Sequence, residues 1–431
     1  MKNIWIFNHY IVPPSVELGH RHNKFAKYLA KDGYNVNLFF SSARHNSNIN
    51  LIKDDRRYSI EETNQGNYIA IKTRSYKENG KQRVLNMLDF FFGLFSVTKE
   101  IEKKTGKPDI IYASSVHPLT CIAGILIAKR YKIKCIVEIR DLWPLTLVEM
   151  GALKPNSIIT KLLYEGEKWI YKKADSIIFT MEGGKDYIKE MGWNNKIDVS
   201  KIYHINNGVD LDVFNEQMKK YVYCDTDLDD ANIFKIIYTG SIGQANAVNY
   251  IVKSSKIIKE KGYGKIKYII FGDGLKRKEL EKYCIDNKLD NVVFKGKVDK
   301  SYIPSILSKG NLNIFTGQNI DLYKYGLSLN KMFDYFASEK PALSNIKCGY
   351  DILKKYHSGI TVESGSAEAL AEGILKFYHM SKEEYNEYCR NAKRAAQDYD
   401  FKNLTNTLEE VINNTVEGKH EYSIDKSKEA I

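Results

Sequence analysis

The sequence predicts an α/β protein built from two Rossmann-like, doubly wound domains that face a cleft. With 431 residues, the chain is longer than one hydrophobic core usually allows. Apolar runs of strand length alternate with amphipathic runs of helix length, which is typical of parallel sheets covered by helices on both faces. The alternation begins again after residues 218–232, a polar and acidic stretch typical of a linker. We therefore expect one sheet on each side of this linker.

The first half of the chain predicts one such sheet. Its expected strands are 4–7, 35–41, 68–72, 109–113, 134–139 and 176–180, and its expected helices are 21–32, 84–105, 120–131, 158–173 and one from 184. Arg140 and Asp141 follow the strand 134–139 directly. Open α/β sheets bind ligands at the carboxyl ends of their strands, so both residues are candidates for a site.

The second half repeats the pattern. Its expected strands are 234–239, 267–271, 292–295, 312–316, 341–344 and 359–362, and its expected helices are 247–261, 275–287, 303–308, one near 331, 367–378, 383–399 and 403–414. The expected domains are an N-terminal domain, 1–217, joined by a C-terminal helical segment, 398–418, and a C-terminal domain, 233–397. A charged tail, 419–431, completes the chain.

Composition limits the class of protein. A net charge of +12 favours anionic partners, such as nucleotide phosphates, a lipid headgroup surface or nucleic acid. The six cysteines form no C-x-x-C pair, which indicates reduced thiols rather than a disulfide framework or a zinc site. The apolar segment 84–97 is too short to span a membrane. Because basic residues flank it, it is either a buried helix or a helix that lies in a membrane interface.

Residues 326–341, GLSLNKMFDYFASEKP, predict an anion site. A loop with Gly326 and Ser328 leads into an apolar helix, and Lys331 lies at its start. A helix N-terminus presents unpaired N–H groups and a partial positive charge to an anion, and Lys331 adds a full charge. Asp334 follows on the next turn, where a carboxylate can accept hydrogen bonds from sugar hydroxyls. Phosphate beside sugar indicates a nucleotide-sugar; the alternative is an ordinary amphipathic helix.

Several motifs occur in an order that resembles one known family. They are FNHYIVPPSVELGHR at 7–21, VEIRDLWP at 137–144, EGEKWIYKKADSII at 165–178, NNGVDLDVF at 206–214, FGDG at 271–274, KGKV at 295–298 and the stretch 326–341. Together they resemble the family 4 retaining glycosyltransferases of the GT-B fold, over the chain to about residue 414. The branch to which they are similar is that of bacterial N-acetylfucosamine transferases of O-antigen and capsule assembly.

The resemblance implies a site for a UDP-sugar donor on the C-terminal domain. In that family the backbone at Lys297 and Val298 would meet the base, Asp334 would hold the ribose, and the loop 328–331 would take the diphosphate. The donor-binding residues that the resemblance implies are Gly19, Gly240, Ser241, Gly272, Lys297, Val298, Gly326, Ser328, Leu329, Asn330, Lys331 and Asp334.

The sequence departs from the family pattern at two places. The usual pair of glutamates eight residues apart is replaced by Gly326 and Asp334. The usual Arg and Lys after the first strand of the C-terminal domain are missing from the turn GSIGQAN. We therefore expect Lys331 to carry more of the diphosphate charge than in the family at large.

The resemblance also implies the catalytic residues. His117 matches a position where family members often place a histidine near the transferred sugar, and the alternative is a histidine with a structural role only. Lys331 would stabilise the leaving group. Glu17 is a further catalytic candidate in the first loop, and the alternative is a glutamate that is only solvated. Retention of configuration without an evident nucleophile suggests front-face substitution, in which the leaving diphosphate oxygen draws the proton of the acceptor.

The acceptor side and the metal content complete the expected site. The expected acceptor-side residues are His20, Arg21, Arg140 and Asp141, and for the last two a structural salt bridge is the alternative. Asp210 and Asp212 have the D-x-D spacing of a metal site, but they follow a turn and are expected to cap a helix. We therefore expect no metal and no other cofactor.

The expected acceptor is a polyprenyl-diphosphate-linked saccharide at the inner face of the cytoplasmic membrane. The positive charge and the segment 84–97 suit that surface. We therefore expect a cytoplasmic protein that associates peripherally with the membrane. The alternatives are a nucleotide-sugar 2-epimerase on the same fold and a non-catalytic protein that binds anions or a membrane. A dinucleotide-dependent oxidoreductase is disfavoured because no G-x-G-x-x-G follows the first strand, and we expect no nucleic-acid partner.

Overall fold

The chain folds into two compact units, each built around one mostly parallel sheet. The computed structural model describes residues 2–16, 19–45, 47–78, 80–115 and 117–419. Unit 1 comprises residues 1–206 and 404–431, and unit 2 comprises residues 207–403. The predicted fold class, two α/β domains with helices on both faces of parallel sheets, is confirmed.

Unit 1 contains an eight-stranded sheet. Its strands are β1 (Asn3–Phe7), β2 (Asn35–Ser41), β3 (Tyr58–Thr63), β4 (Gly66–Ile71), β5 (Ile110–Ser115), β6 (Lys134–Ile139), β7 (Ser176–Phe179) and β8 (Ile202–His204). Its helices are α1 (Arg21–Lys31), α2 (Lys81–Thr105), α3 (Pro118–Tyr131), α4 (Leu145–Glu149), α5 (Ile158–Lys173) and α6 (Gly184–Glu190). The strand order is β3-β4-β2-β1-β5-β6-β7-β8, and each neighbouring pair is parallel except β3 with β4.

The central strands of unit 1 are apolar because helices cover both faces of the sheet. Every residue of β1 and of β5 is buried. Trp5 on β1 packs against Phe39 at 5.1 Å and Tyr131 at 5.5 Å between ring centroids. The strand order reverses between β1 and β5, so the carboxyl ends of these two strands mark the position where such sheets bind ligands.

Strand β3 is an element that the sequence pattern misses. It pairs antiparallel with β4 at the edge of the sheet, and most of its side chains are half-buried. Its sequence, YSIEET, lacks the regular apolar alternation by which buried strands are recognised. An edge strand buries little surface, so its apolar signal is weak.

Unit 2 contains a six-stranded sheet of the order β11-β10-β9-β12-β13-β14, in which all neighbouring pairs are parallel. Its strands are β9 (Phe234–Thr239), β10 (Ile266–Phe271), β11 (Val292–Gly296), β12 (Leu312–Phe315), β13 (Ala342–Ser344) and β14 (Gly359–Thr361). Its helices are α7 (Leu211–Lys220), α8 (Thr226–Asp229), α9 (Asn249–Glu260), α10 (Arg277–Asp286), α11 (Ile303–Ser308), α12 (Asn330–Ala337), α13 (Ile352–Tyr356), α14 (Ala367–Tyr378) and α15 (Lys382–Asp398). Helix α16 (Phe401–Glu417) begins in unit 2 and continues in unit 1.

The acidic stretch expected as a linker, 218–232, is part of unit 2, and so are residues 207–217, which we expected in the first domain. Asp225 caps α8 with its side chain. Lys295 on β11 binds the carboxylates of Asp225 and Asp227 at 2.7 and 2.6 Å. The remaining lysines that bind this stretch are Lys235, Lys267 and Lys309. Lysines of unit 2 therefore fix a segment whose composition resembles a free linker.

A buried carboxylate, Glu138 at the end of β6, connects several elements of unit 1. Its Oε1 accepts from Arg21 Nε at 2.8 Å and from the Tyr112 hydroxyl at 2.5 Å. Its Oε2 accepts from the Ser114 hydroxyl at 2.6 Å and lies 2.9 Å from His22 Nε2. Burial alone would raise the pKa of Glu138, but Arg21 and His22 hold it well below its usual range. The carboxylate is therefore ionised at neutral pH.

Replacing Glu138 by Gln should destabilise unit 1 by ~3–5 kcal/mol, because breaking a buried ion pair leaves the Arg21 charge uncompensated. Urea unfolding followed by tryptophan fluorescence measures this loss, since the four tryptophans, Trp5, Trp143, Trp169 and Trp193, all lie in unit 1.

The matched control is Glu165→Gln, whose exposed side chain pairs with Lys168 and should matter by less than ~1 kcal/mol. The pKa of Glu138 is lowered in the folded state, so its contribution is complete above the ordinary glutamate pKa and is lost as the pH falls towards the folded value. Equal stability of the Glu138→Gln variant and the wild type at pH 7 would contradict this role.

Candidate functional site

The strand order of unit 2 reverses between β9 and β12. The loop 240–248 follows β9, and the loop 316–329 runs from β12 to α12, with a 3-10 turn at Asp321–Tyr325. Parallel sheets of this kind bind their ligands at such a reversal, outside the carboxyl ends of the strands. The stretch predicted as an anion site, 326–341, therefore begins at this position.

Lys331 is partly buried near the start of α12, and neutral groups hold it there. Its Nζ donates to the Tyr238 hydroxyl at 3.2 Å and to Asn246 Oδ1 at 3.0 Å. The same nitrogen lies 4.6 Å from the centroid of the Tyr238 ring. Burial lowers the pKa of Lys331 to about 8. Because its partners in these bonds are uncharged, a bound anion would supply the charge that a partly buried ammonium needs.

Two glycines leave room for this ammonium. A Cβ at Gly240 would lie 2.8 Å from Lys331 Nζ, and the φ of Gly240, +147°, is one that other residues rarely adopt. A Cβ at Gly272 would lie 1.7 Å from the carbonyl oxygen of Gly240, so the loops after β9 and β10 can stack only with glycine there. Both predicted donor-site glycines therefore shape the surroundings of Lys331.

The N-terminus of α12 has no side-chain cap from its N-cap residue. Leu329 occupies the N-cap position and has no polar side-chain atom, so the first N–H groups of α12 are not capped by it. Ser328 instead binds Asn207: its Oγ accepts from the Asn207 N–H at 3.2 Å, and its carbonyl oxygen accepts from Asn207 Nδ2 at 2.8 Å. Asn330, the first residue of the helix, is exposed.

The other predicted donor residues also lie at or after the carboxyl ends of strands. Ser241 accepts from the Tyr238 hydroxyl with its carbonyl oxygen at 2.7 Å and from Asn246 Nδ2 with its hydroxyl at 2.7 Å. Lys297 is exposed and Val298 is half-buried, directly after β11. Two more follow the 3-10 turn of the second loop: Gly326, with φ +102°, and the half-buried Asp334 on α12.

Three residues that contact the predicted donor loop are missed by the sequence interpretation. Tyr238 and Asn246 hold Lys331, and Asn207 holds Ser328. Asn207 belongs to the NNG turn, and Asn246 to the GSIGQAN turn, so both lie in motifs that the sequence singles out. Neither motif indicates the partner, because the bonds join residues about 85 and 121 positions apart.

Lys331→Ala should weaken UDP binding by ~2 kcal/mol or more, because the variant loses the charge that is predicted to contact the phosphates. Titration calorimetry of the full-length protein measures this change. Lys393→Ala is the matched control, since Lys393 forms an exposed ion pair with Glu339 elsewhere in unit 2.

The same titration should depend on pH in a defined direction. The free ammonium has a pKa of about 8, so UDP affinity should be highest below that pH and fall as the pH rises above it. Lys331→Arg keeps its charge and should remove this decline. If wild-type affinity does not change between pH 7 and about pH 9.5, the cation is not in contact with the phosphates.

In unit 1, the reversal between β1 and β5 places His9 and His117 together. His117 Nε2 lies 3.0 Å from His9 Nδ1, and His9 Nε2 lies 2.6 Å from Asn86 Oδ1. His117 immediately precedes α3, as expected for a residue in a strand-end loop. His9 and Asn86 are further site residues that the sequence interpretation misses.

Asn86 fixes the direction of these hydrogen bonds. Its Nδ2 donates to the carbonyl oxygen of Arg74 at 2.6 Å, so its Oδ1 is the acceptor that faces His9. His9 therefore carries its hydrogen on Nε2 and offers the lone pair of Nδ1 to His117. His117 then carries its hydrogen on Nε2, which leaves its Nδ1 as an acceptor. That atom is buried and has no hydrogen-bond partner among the described residues.

Both histidines are neutral at physiological pH. Burial lowers the pKa of His9 to about 3 and that of His117 well below its usual value. His117 therefore does not take up a second proton near pH 7 and cannot serve as a cation there. What it can do is accept a hydrogen bond through Nδ1.

This assignment can be tested through the ring nitrogens. In the wild type, ¹⁵N chemical shifts should show a protonated Nε2 and a bare Nδ1 for His117. His9→Phe removes the acceptor for Nε2–H and should let His117 populate both tautomers.

His379→Phe, a change in unit 2, is the control and should leave the His117 signals unchanged. A wild-type His117 protonated at Nδ1 would contradict the assigned direction of the Asn86–His9–His117 hydrogen bonds.

Arg21 is a structural cation, and the expectation that it contacts the acceptor is wrong. Its guanidinium donates to Glu138 at 2.8 Å and to the carbonyl oxygen of Ile205 at 2.8 Å, and it also binds the carbonyl oxygen of Asn206. Only 2% of the Arg21 side chain is exposed. The physical reason is that Glu138, distant in sequence, needs a buried counter-charge.

The remaining predicted residues of unit 1 lie at the same carboxyl edge. His20 precedes α1, and its carbonyl oxygen accepts from the N–H groups of the next turn. Arg140 donates its N–H to the Ser115 hydroxyl at 3.1 Å, and Asp141 is exposed. Gly19 is exposed, with φ +103°. Glu17 lies outside the described residues.

The D-x-D motif at 210 and 212 begins a helix, as predicted. Asp210 caps α7 by accepting from the Val213 N–H at 3.2 Å. In the part of the chain that the structure describes, no group of three or more His, Cys, Asp or Glu side chains is placed to hold a metal ion.

Comparison with known proteins identifies both halves of the chain. Residues 23–213 match the family described as Glycosyltransferase Family 4, and residues 229–396 match the family described as Glycosyl transferases group 1. The probable glycosyltransferase WbjE of Pseudomonas aeruginosa is 19% identical over 280 residues, which are 64% of this chain and 67% of that protein.

Solved structures share the fold over nearly the whole chain. Sucrose-phosphate synthase from Thermosynechococcus elongatus has a TM-score of 0.69 at 14% identity, covering 96% of this chain and 99% of its own. Anabaena HepE in complex with UDP and glucose has a TM-score of 0.65 at 15% identity, covering 96% and 100%. A trehalose-6-phosphate protein from E. coli, bound with UDP-2-fluoro glucose, has a TM-score of 0.70 at 11% identity, covering 96% and 99%.

These likenesses, the reversal sites of the two sheets and the two family matches agree with one another. The chain therefore carries a family 4 domain followed by a group 1 domain, and the protein is a glycosyltransferase.

Proposed function

We propose that this glycosyltransferase moves a sugar from a UDP-sugar to a lipid-linked saccharide, with retention of anomeric configuration, in the assembly of a bacterial surface polysaccharide. The observation that carries the proposal is Lys331, a partly buried ammonium held by neutral groups where the sheet of the group 1 domain reverses. The motifs that resemble N-acetylfucosamine transferases favour an N-acetylated hexose or deoxyhexose as the transferred sugar.

The donor assignment has support from chemistry and from related structures. Two solved structures with the same fold, those from Anabaena and E. coli, contain UDP and glucose or UDP-2-fluoro glucose. In this proposal the diphosphate lies on the N–H groups at the start of α12 and on Lys331, beside the glycine loop at Gly240. Asp334 accepts from the ribose hydroxyls, and the backbone at 297–298 meets the base.

The reaction follows from this placement. The bond between the anomeric carbon and the diphosphate oxygen breaks, and the acceptor oxygen forms its bond to the same carbon from the same face. The acceptor's proton passes to the leaving diphosphate oxygen. Lys331 and the helix N–H groups stabilise the negative charge that develops there. A front-face route of this kind needs no protein nucleophile.

His117 contributes as a neutral acceptor in this mechanism. Its unsatisfied Nδ1 suits a hydroxyl or amide hydrogen of the transferred sugar. An unpaired buried acceptor costs ~1–3 kcal/mol, and a sugar hydroxyl would recover that energy. Because Nδ1 is buried, the groups that cover it must move before the sugar can reach it.

The acceptor assignment rests on α2. The helix buries Phe90, Leu94 and Val97 on its inner side, whereas Val84 and Phe92 are 54% and 64% exposed. Basic residues lie at both ends of this outward apolar side: Lys81, Arg83 and Lys99. Over the described residues, no helix is sufficiently long and apolar to cross a bilayer. We therefore infer that α2 lies on an anionic membrane surface, at the inner face of the cell membrane.

Mass spectrometry of reaction products tests the function directly. A panel of UDP-sugars is incubated with a lipid-linked monosaccharide, and one donor should increase the acceptor mass by one sugar residue. Nuclear magnetic resonance should show the anomeric configuration of the donor retained, and EDTA should leave the rate unchanged because the proposed reaction uses no metal.

Two controls separate the alternatives. Asp334→Asn should raise the KM for the donor more than it lowers kcat, since its role is ribose binding. Release of free nucleotide and a modified sugar without any acceptor would favour a 2-epimerase instead. Loss of turnover in EDTA, restored by a divalent cation, would contradict a metal-independent reaction.

A further inference from the structure

Four side chains form a group on unit 1 that the proposed mechanism does not use. Tyr10 follows β1, His45 follows β2, Tyr76 follows β4, and Arg83 lies in the first turn of α2. The segments that follow β1, β2 and β4 and the first turn of α2 lie at the carboxyl edge of the sheet, beside the reversal between β1 and β5. We refer to these residues as the tyrosine–arginine cluster.

Direct contacts join the members of the cluster. Arg83 Nε donates to the Tyr10 hydroxyl at 3.1 Å, and the guanidinium carbon lies 5.8 Å from the centroid of the Tyr10 ring. The rings of Tyr10 and His45 have centroids 4.7 Å apart, and His45 Nδ1 lies 2.6 Å from the Tyr76 hydroxyl. Tyr10 is half-buried and His45 is exposed, so a ligand can reach both.

The cluster is positively charged. Arg83 contributes one charge, and burial followed by the field of Arg83 lowers the pKa of His45, so His45 is mostly neutral at pH 7. Asp89, the carboxylate two turns further along α2, is bound by Arg74 through Nε at 2.7 Å and through Nη2 at 2.9 Å. The cluster therefore presents a guanidinium and the rings of Tyr10 and His45 at the edge of the sheet, with the buried Tyr76 supporting His45 from below.

The cluster lies between two features with different chemistry. On one side, the Tyr10 ring lies 6.5 Å from that of His117, the residue assigned to the transferred sugar. On the other side, Arg83 is followed by Val84, Leu88 and Phe92 at four-residue spacing along α2, of which Val84 and Phe92 are exposed. Along the surface, the tyrosine–arginine cluster thus lies between the site assigned to the transferred sugar and the apolar stripe of α2.

We propose that the tyrosine–arginine cluster binds the diphosphate of the lipid-linked acceptor, with the acceptor sugar towards His117 and the lipid along the apolar stripe of α2. The inference rests on the proposed function. A guanidinium presents paired N–H donors that match phosphate oxygens, and the Tyr10 hydroxyl holds it in place. The three features occur in the order in which a sugar, a diphosphate and a lipid are joined in such an acceptor.

Three probes test the assignment on the full-length protein in uncharged detergent. They are N-acetylglucosamine joined to a farnesyl chain through a diphosphate, through a monophosphate and directly as a glycoside. The wild type should bind the diphosphate probe ~tenfold or more tightly than the glycoside, since a hydrogen bond to a charged group accounts for such a ratio. Arg83→Gln should abolish most of this preference, and Arg83→Lys should restore part of it.

Arg74→Gln is the matched control, because Arg74 lies on the same edge but is ion-paired with Asp89. It should keep the wild-type preference for the diphosphate. UDP affinity, which depends on unit 2, should be the same in all variants and shows that each variant is folded. A wild type without phosphate preference, or an Arg83→Gln variant that keeps it, overturns the proposal.

Vesicles distinguish the acceptor from the membrane as the source of the phosphate. Arg83→Gln should remove most of the preference among the probes. Its binding to phosphatidylglycerol vesicles should fall by no more than about fivefold, because one basic residue near the surface contributes about 1 kcal/mol and Lys81 and Lys99 remain. The reverse result, intact probe preference with weakened vesicle binding, would assign the cluster to lipid headgroups and overturn the proposal. Failure of the proposed function is distinct: no lipid-linked sugar would then be extended by the wild type.

Discussion

The buried pairing of Glu138 with Arg21 is the interaction on which the geometry of unit 1 depends. It brings together β5, β6, α1 and the chain at 205–206, which come from four separate parts of the sequence. His22, bound to the same carboxylate, lies 3.1 Å from Asn8, the residue that follows β1. Buried ion pairs seldom add stability over apolar packing, but they tolerate few alternative arrangements. The carboxyl edge that carries His9 and His117 is therefore fixed by electrostatics as much as by packing.

The two units differ in whether the protein itself compensates a buried charge. In unit 1, the buried carboxylate has its counter-charge within the protein, so Glu138 and Arg21 need nothing from a ligand. In unit 2, Lys331 is bound by a phenol and an amide, neither of which carries a charge, and burial lowers its pKa. A charge that the protein already neutralises is structural, whereas one held by neutral groups is suited to an incoming ion. This distinction separates Arg21 from Lys331, two residues that look equally suited to a site in the sequence.

The sequence predicts what depends on local patterns. The alternating sheets and helices, the helix cap at Asp210 and the strand-end position of His117 all follow from short-range periodicity and turn chemistry. The burial of Arg21, the lysine contacts of 225–230 and the bonds of Tyr238 and Asn246 to Lys331 join residues that are far apart in the chain or meet across the sheet. No local pattern encodes such a partner. For the same reason the half-buried edge strand β3 and the Asn86–His9–His117 chain are visible only once the strands are assembled.

The stacked glycines at 240 and 272 limit how this protein can change its substrate. At both positions the backbone of one loop or the ammonium of Lys331 occupies the volume that a side chain would need. In the proposed donor site, an altered donor preference would thus have to come from positions that already carry side chains, such as 297–298 and 334. The backbone at these two glycines fixes the shape of the proposed site, so the surrounding side chains must determine its selectivity.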